Sequence, residues 1–406
     1  MSNTHPAAIG RLPACALLIC SMALPLHAAQ PDRTTFEWDA RLRYEHVDDA
    51  AFRMHADAAT LRLRAGLRAA FGNGWHGLLD AEAIAATGHY NSTANGRGDR
   101  PQVVDPRGIE LNQAWLGWKG DRGGVTLGRQ RLLFDNQRWV GNVGWRQNEQ
   151  TFDALAAEFA PRKDIALRYA FLDRVHRVNG DDARDPLARE RALSTHAFNA
   201  AWKRGKQQVA GYAYLHDDRD LASASSATWG LRWTGAQAIS VGTLAWTLEA
   251  ARQRDHADNP QHFSHAYWLV EPALTLHGIT TRAGWEHLGG NGRHALQAPL
   301  ATLHAFNGWA DKFLITPVNG LEDRYLGVGG NVGRERAGSR AGWQVSWHDY
   351  RADHGSLRYG SEWNAMLSLP LAKGLATTLK FADYRAAGFG RDTRKLWLQL
   401  DYKGSR

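Results

Sequence analysis

The apolar–charged alternation that identifies the fold is clearest from Thr35 to His46, which reads TFEWDARLRYEH. Apolar and charged residues alternate through it: Phe36, Trp38, Ala40, Leu42 and Tyr44 against Glu37, Asp39, Arg41, Arg43 and Glu45. A period of two predicts a β-strand with one apolar face and one charged face. In a soluble sheet such a charged face would contact bulk water. In a transmembrane barrel the apolar face contacts lipid and the charged face lines the lumen, which is the interpretation favoured here.

The same alternation recurs along the chain. It predicts further strands near 61–71, 75–85, 110–119, 124–132, 151–160, 165–173, 193–203, 207–216, 226–235, 243–253, 265–277, 279–288, 322–332, 340–350, 358–369, 375–385 and 392–402. The connections alternate between short and long, as they do in bacterial outer-membrane barrels. We therefore predict an all-β fold, an antiparallel transmembrane barrel of about eighteen strands with short periplasmic turns and long extracellular loops. Pro272 lacks a ladder donor, so the strand near 265–277 is expected to need a bulge.

The first residues have the pattern of a secretory signal. Arg11 precedes a short apolar core from Leu12 to Leu26, and small residues follow at Ala28 and Ala29. We predict that residues 1–29 are a cleaved signal peptide and that residues 30–406 form a single barrel in the outer membrane. Both cysteines, Cys15 and Cys20, fall in the signal, which excludes disulfides and cysteine-based metal sites from the rest.

Composition supports a membrane setting without spanning helices. The chain has 17 tryptophans, a net charge of +8 and a mean hydropathy of −0.46. A chain this polar has little core in which to bury so many indoles, whereas aromatic girdles at a membrane interface accommodate them. After the signal, no run reaches the ~18 apolar residues that a spanning helix needs.

One long loop is dense in hydrogen-bonding groups. Gly128 to Ala154 reads GRQRLLFDNQRWVGNVGWRQNEQTFDA and contains four arginines, Arg129, Arg131, Arg138 and Arg146. Guanidinium groups match carboxylates, and the amides of this stretch suit sugar hydroxyls. The alternative is a polar loop that satisfies its own backbone.

This stretch resembles the most specific motif of the alginate-export family of outer-membrane porins. Two further stretches carry the resemblance: LQAPLATLHAFNGWADKFLITPVNGLEDRY, from Leu296 to Tyr325, and WHDYRADHGSLRYGSEWNA, from Trp347 to Ala365. The C-terminal segment LKFADYRAAGFGRDTRKLWLQLDY belongs with them. The resemblance implies a monomeric barrel of about eighteen strands that carries an anionic polysaccharide through an arginine-lined pore.

The residues predicted to line the pore are basic. Beside the four loop arginines they are Arg41, Arg43, Arg62, Arg64, Arg68, Arg168, Arg232, Arg282, Arg340 and Lys380. Several guanidinium groups in a low-dielectric lumen enrich anions, so we predict that the four loop arginines form an anion-selective constriction. The alternative is that the arginines pair with lumen acids: Asp39, Glu45, Asp80, Glu82, Glu249 and Glu362.

The leading function is therefore a channel for an anionic polysaccharide or oligosaccharide. The alternatives are an uptake porin for small anions or oligosaccharides and, less favoured, an outer-membrane barrel enzyme or a periplasmic polysaccharide-binding β-protein. No catalytic, metal or cofactor motif is predicted, and neighbours such as His348 and Asp349 point to opposite faces of a strand. Outer-membrane lipid is an expected partner, a periplasmic secretion partner is left open, and nucleic acid is not expected. The loop from Leu288 to Gly320 could cap the pore or fold into it.

Overall fold

The structure, a computed structural model, describes residues 34–336 and 339–406. The predicted signal peptide, residues 1–29, lies outside the described residues. Among the described residues, no helix has the length and hydropathy needed to cross a membrane.

Within the described part of the chain, eighteen antiparallel strands form one closed sheet. The strands are β1 (Thr34–Asp49), β2 (Ala56–Gly72), β3 (Trp75–His89), β4 (Gly108–Lys119), β5 (Gly123–Gln130), β6 (Thr151–Arg162), β7 (Ile165–His176), β8 (Glu190–Arg204), β9 (Gln207–His216), β10 (Ser226–Ile239), β11 (Gly242–Asp255), β12 (Ser264–Leu276), β13 (Ile279–Leu288), β14 (Leu321–Arg336), β15 (Ser339–Arg351), β16 (Arg358–Ala372), β17 (Leu375–Ala386) and β18 (Thr393–Ser405). A single-turn helix, Pro186–Arg189, precedes β8, and two 3₁₀ turns lie at Ala222–Ala224 and Leu303–Ala305.

The first and last strands close the barrel. Leu42 of β1 is the register partner of Leu400 in β18 on one side and of Leu61 in β2 on the other. Closure satisfies the backbone groups that an open edge would leave unpaired in lipid. The prediction of an antiparallel barrel of about eighteen strands is confirmed.

The two faces of the barrel wall follow the sequence alternation. Leu42 and Leu63 are 51% and 54% exposed on the outside, whereas Arg43 and Glu45 are 1% and 0% exposed on the inside. Apolar side chains outside and ionisable side chains inside are the pattern of a lipid-embedded barrel.

The connections confirm the predicted asymmetry. Several connections at one end of the described barrel have two residues. The one between β12 and β13 consists of His277 and Gly278, whose φ angles of 48° and 82° fit the twisted two-residue turn that hairpins favour. The longest, at the opposite end, is 289–320.

Pro272 does not produce the expected bulge. It pairs with Trp246 of β11, and pairing between β12 and β13 stops after Val270–Trp285 and resumes at Ala273–Arg282 in the same register. The missing N–H therefore interrupts the ladder on one side without shifting it, and the bulge prediction is wrong.

Candidate functional site

Two extracellular loops fold into the barrel and fill much of its lumen. We name them the first plug loop (residues 131–150, between β5 and β6) and the second plug loop (residues 289–320, between β13 and β14). Many of their side chains are deeply buried, with Gln147 and Leu296 at 0% and Phe313 at 5% exposure. Irregular backbone at this depth needs partners inside the protein, which the two loops provide for each other and the wall provides for both.

Backbone hydrogen bonds join the two loops directly. The Gly141 amide donates to the Leu300 carbonyl at 2.9 Å, and the Thr302 amide donates to the Gln137 carbonyl at 3.0 Å. The side-chain amide of Gln150 donates to the same Leu300 carbonyl at 2.9 Å. The loops thus form one connected plug rather than two independent lids.

Aromatic side chains make the plug partly apolar. Phe313 packs on Tyr350 of the wall with ring centres 4.5 Å apart, and Trp139 packs on Tyr267 at 5.1 Å. The Trp139 indole N–H also donates to Glu249 Oε1 of β11 at 3.0 Å. Inward-facing tyrosines suit this position, because each presents an apolar ring to the plug.

Buried arginines attach the plug to the wall. Arg146 Nη1 lies 3.1 Å from Glu45 Oε2 of β1, and its Nη2 lies 3.2 Å from Asp311 Oδ2 of the second plug loop. Burial alone would lower the pKa of Arg146, but Glu45, Asp105 and Asp311 raise it above its ordinary value, so the guanidinium stays charged. Arg138 pairs with Glu286 of β13 at 2.9 Å.

A lysine of the wall lies in a cage made by both plug loops. Lys380 Nζ is 3.9 Å from the ring centre of Trp309 and 4.1 Å from that of Trp145. It also lies 2.6 Å from His304 Nε2, while His304 Nδ1 lies 2.6 Å from Asp311 Oδ1. Burial lowers the pKa of His304 to about 3, against the opposing pull of Asp311, so this histidine is neutral at pH 7. A neutral ring can accept from the lysine at Nε2 and donate to the carboxylate at Nδ1.

Sequence comparison identifies the family of this barrel. The profile described as "Alginate export" matches residues 32–301. The chain belongs to the alginate export family. This member is an outer-membrane β-barrel channel, which confirms the predicted localisation and the resemblance on which it rested. No curated protein matches its sequence significantly.

Solved structures share the architecture of this family member. Acinetobacter baumannii OccAB4 superposes with a TM-score of 0.72 at 13% identity, covering 94% of this chain and 100% of that one. Pseudomonas aeruginosa OpdK gives 0.68 at 13% identity, covering 91% and 99%. Pseudomonas aeruginosa OccK9 (OpdG) gives 0.72 at 12% identity, covering 92% and 98%. At this identity the likeness shows the fold.

Most of the predicted pore residues make ion pairs with carboxylates. The pairs are Arg41–Asp401, Arg43–Asp105, Arg62–Asp39, Arg64–Glu82, Arg68–Glu37, Arg131–Glu149, Arg168–Glu158 and Arg232–Glu249, beside those of Arg138 and Arg146. For Arg282 and Arg340, no ion pair is found among the residues that the structure describes, and Arg340 is exposed near the start of β15.

Arg129 is separated from the other loop arginines. It lies near the end of β5 on the face shared by Leu127, which is 63% exposed, and it pairs at 3.0 Å with Asp153 of β6. Phe152 and Ala154, on either side of Asp153, are buried toward the lumen. Arg129 therefore lies on the outward face, whereas Arg131, Arg138 and Arg146 lie inside.

Several acids that hold the plug were not among those expected from sequence. They are Asp105, Glu149, Glu286 and Asp311. Glu286 lies on the inward face of β13, as its neighbour Trp285 faces outward at 42% exposure, so alternation could have found it. The other three lie in loops, where no periodicity marks which side chains turn inward.

Proposed function

We propose that this channel admits small acidic solutes, such as carboxylates and short uronate oligosaccharides, rather than threading a long polysaccharide. This proposal rests on the plug, which buried ion pairs hold to the wall at Glu45 and Glu286. An extended polymer would have to displace both plug loops. A small solute needs only the spaces between plug and wall.

The predicted pore residues then divide into two groups. Arg43, Arg138 and Arg146 have side chains 0%, 2% and 7% exposed, so they hold the plug and have little surface left for a solute. The side chains of Arg131 and Arg168 are 33% and 21% exposed, and we propose that these contact the solute.

The Arg168–Glu158 pair suits transport because it is weak. A channel needs contacts that form and break repeatedly, and a partly solvated arginine–carboxylate pair contributes only about 0–1 kcal/mol. A passing carboxylate can replace Glu158, whose side chain is 58% exposed, at Arg168, whereas Glu149 is buried and stays bound while the solvated part of Arg131 contacts the solute. Arg168 also lies 4.8 Å from the ring centre of the buried Phe134, which helps to hold the guanidinium in place.

The comparisons favour small solutes, and the family leaves a second candidate. Pseudomonas aeruginosa OpdK was solved with vanillate, a small aromatic acid, and superposes on this chain with a TM-score of 0.68 at 15% identity. Membership of the alginate export family supports an acidic polysaccharide as the second cargo. Both cargoes carry carboxylates, so size is the property that distinguishes them.

We also propose that residues 1–29 are removed on export, and that residues 30–406 act as one monomeric barrel with anion selectivity. The arginine pairs described above support a channel role, and neither the family nor its structural neighbours suggest an enzyme.

Swelling of proteoliposomes tests the proposal. Glucuronate should enter readily, and the rate should fall steeply as uronate oligomers lengthen, because each added ring meets the plug. Glucose, similar in size but uncharged, is the matched control and should enter more slowly than glucuronate. Equal rates for long and short uronates would overturn the size limit, and equal rates for glucose and glucuronate would remove the acid preference.

A further inference from the structure

At the extracellular end of the barrel wall, three potential metal ligands converge outside the proposed solute path. His287 is the second-last residue of β13, its register partner Glu322 is the second residue of β14, and Asp353 follows β15. One ligand atom from each lies within 4.8 Å of the other two. Because Trp285 on β13 faces outward, His287 lies on the outer face, whereas Glu286 between them points into the lumen.

The histidine supplies the observation that points to a ligand. His287 is only 9% exposed, and its Nδ1 is buried without a hydrogen-bond partner. That nitrogen lies 3.7 Å from Asp353 Oδ1. A buried polar atom without a partner costs free energy, and a cation between the two atoms would satisfy both.

Surrounding contacts orient the three side chains. The His287 ring stacks on Trp268, with centres 5.2 Å apart and planes 5° from parallel. The Gly290 amide donates to Asp353 Oδ2 at 3.0 Å, which leaves Oδ1 toward the histidine. Arg324 Nη2 donates to Glu322 Oε2 at 2.8 Å, and a carboxylate held through one oxygen can still bind a metal through the other.

We propose that His287, Glu322 and Asp353 bind a divalent transition-metal ion of the Zn²⁺ class. One imidazole and two carboxylates form a nitrogen–oxygen ligand set suited to zinc, with water at the fourth position. Ligand atoms about 2.1 Å from a tetrahedral ion lie about 3.4 Å apart, so the present spacings need only a small contraction. The side chains are 11%, 20% and 28% exposed, so an ion can enter from the medium.

The site would close the base of the second plug loop. His287 and Glu322 lie one residue inside the strand ends that flank residues 289–320, and Asp353 belongs to the neighbouring loop. The amide of His354 already donates to Asn319 at 2.8 Å, so the two loops are in contact there. A bound ion would join both ends of the plug loop to its neighbour and restrain its movement. This effect on conduction rests on the proposed function, whereas metal binding does not.

Titration calorimetry on the full chain tests the proposal. The protein is purified in detergent with an affinity tag that contains no histidine, and bound metal is removed with a chelator before titration. Wild type should bind one Zn²⁺ per chain and melt at a higher temperature with the ion. His287→Ala and Glu322→Gln should each weaken binding by about tenfold or more. His262→Ala is the matched control, because His262 also pairs with an aspartate, at 3.0 Å, but is 90% exposed; it should bind as wild type does.

Heat-modifiable migration on a gel shows that each variant is folded. Equal Zn²⁺ binding by wild type and a folded His287→Ala would overturn the proposal. Ca²⁺ competing as well as Zn²⁺ would overturn it too, because a hard cation prefers oxygen ligands and would not need the imidazole. Swelling rates are not part of this test, so its failure and failure of the channel proposal are distinguishable.

Discussion

Arg146 joins Glu45 of the barrel wall to Asp311 of the second plug loop, with one guanidinium nitrogen directed at each carboxylate, 3.1 Å and 3.2 Å away. All three side chains are at most 7% exposed. A residue of the first plug loop thus bridges the wall and the other loop. The two loops should therefore move together.

Arg146→Ala should loosen the plug. Removing one partner of a buried ion pair leaves carboxylates uncompensated and typically costs about 3–5 kcal/mol. We expect a lower melting temperature and larger, noisier single-channel currents in planar bilayers. Arg162→Ala is the control, because Arg162 pairs with Asp164 at a periplasmic turn with its side chain 70% exposed. Such a pair contributes about 0–1 kcal/mol, and the control should behave as wild type does. Unchanged currents in a folded Arg146→Ala would contradict the anchoring role.

Acidification should destabilise the plug through His304. Burial lowers its pKa to about 3 in the folded protein from an ordinary value of 6.5. Between these two pH values the unfolded chain therefore binds more protons at this site than the folded protein does. The contribution of His304 to the free energy of unfolding is complete above pH 6.5 and is lost as pH falls toward 3. Protonation of His304 in the folded protein would place a third cation beside Lys380 and Arg146. The Asp311 carboxylate would offset the resulting repulsion only in part.

Thermal melts at pH 7.5 and pH 4.5 measure this effect. His304→Gln should show a smaller loss of melting temperature on acidification than wild type, because glutamine does not titrate. His262→Gln, at an exposed histidine, should lose as much as wild type. The same loss in all three proteins would exclude His304 as the source.

Because the outer face contacts lipid, the free-energy cost of placing a charge there should depend on its depth in the membrane. Leu63→Arg, near the middle of β2 with Leu63 54% exposed, should destabilise folding into bilayers by about 2–4 kcal/mol. Ile109→Arg, at the extracellular end of β4 with Ile109 83% exposed, should cost about 0–1 kcal/mol. Reversible urea titrations in lipid vesicles compare the two. Equal free-energy costs for the two variants would mean that the outer face does not contact a membrane whose polarity changes with depth.

The barrel could be predicted because lipid and water impose a strict period of two. Leu42 and Arg43 illustrate it, since neighbours in a strand must face opposite environments. The same rule also carried information about Arg129, which shares parity with Val125 and Leu127 and therefore belongs outside. Grouping it with the loop arginines by proximity in sequence obscured that signal.

The plug could not be derived in the same way. Glu149 and Asp311 face the buried Arg64 and Arg146 only because two long loops fold into the barrel, and loop residues carry no periodicity that marks which side turns inward. The tryptophan count indicated membrane girdles, yet Trp145 and Trp309 surround Lys380 within the lumen. Composition alone does not separate the two uses of an indole.

Anion selectivity should depend on the accessible arginines rather than on all four of the predicted loop set. Arg131→Gln combined with Arg168→Gln should move the reversal potential in a salt gradient toward that of a non-selective pore, because it removes the two partly exposed cations that we propose contact the solute. Arg129→Gln is the matched control, since Arg129 has a side chain 27% exposed but lies on the outward face beside Asp153, and it should leave selectivity unchanged. Because lumen potentials are screened by ions, the shift should be larger at low salt than at high salt. A shift produced by Arg129→Gln alone, or none with the double variant, would mean that selectivity arises elsewhere in the lumen.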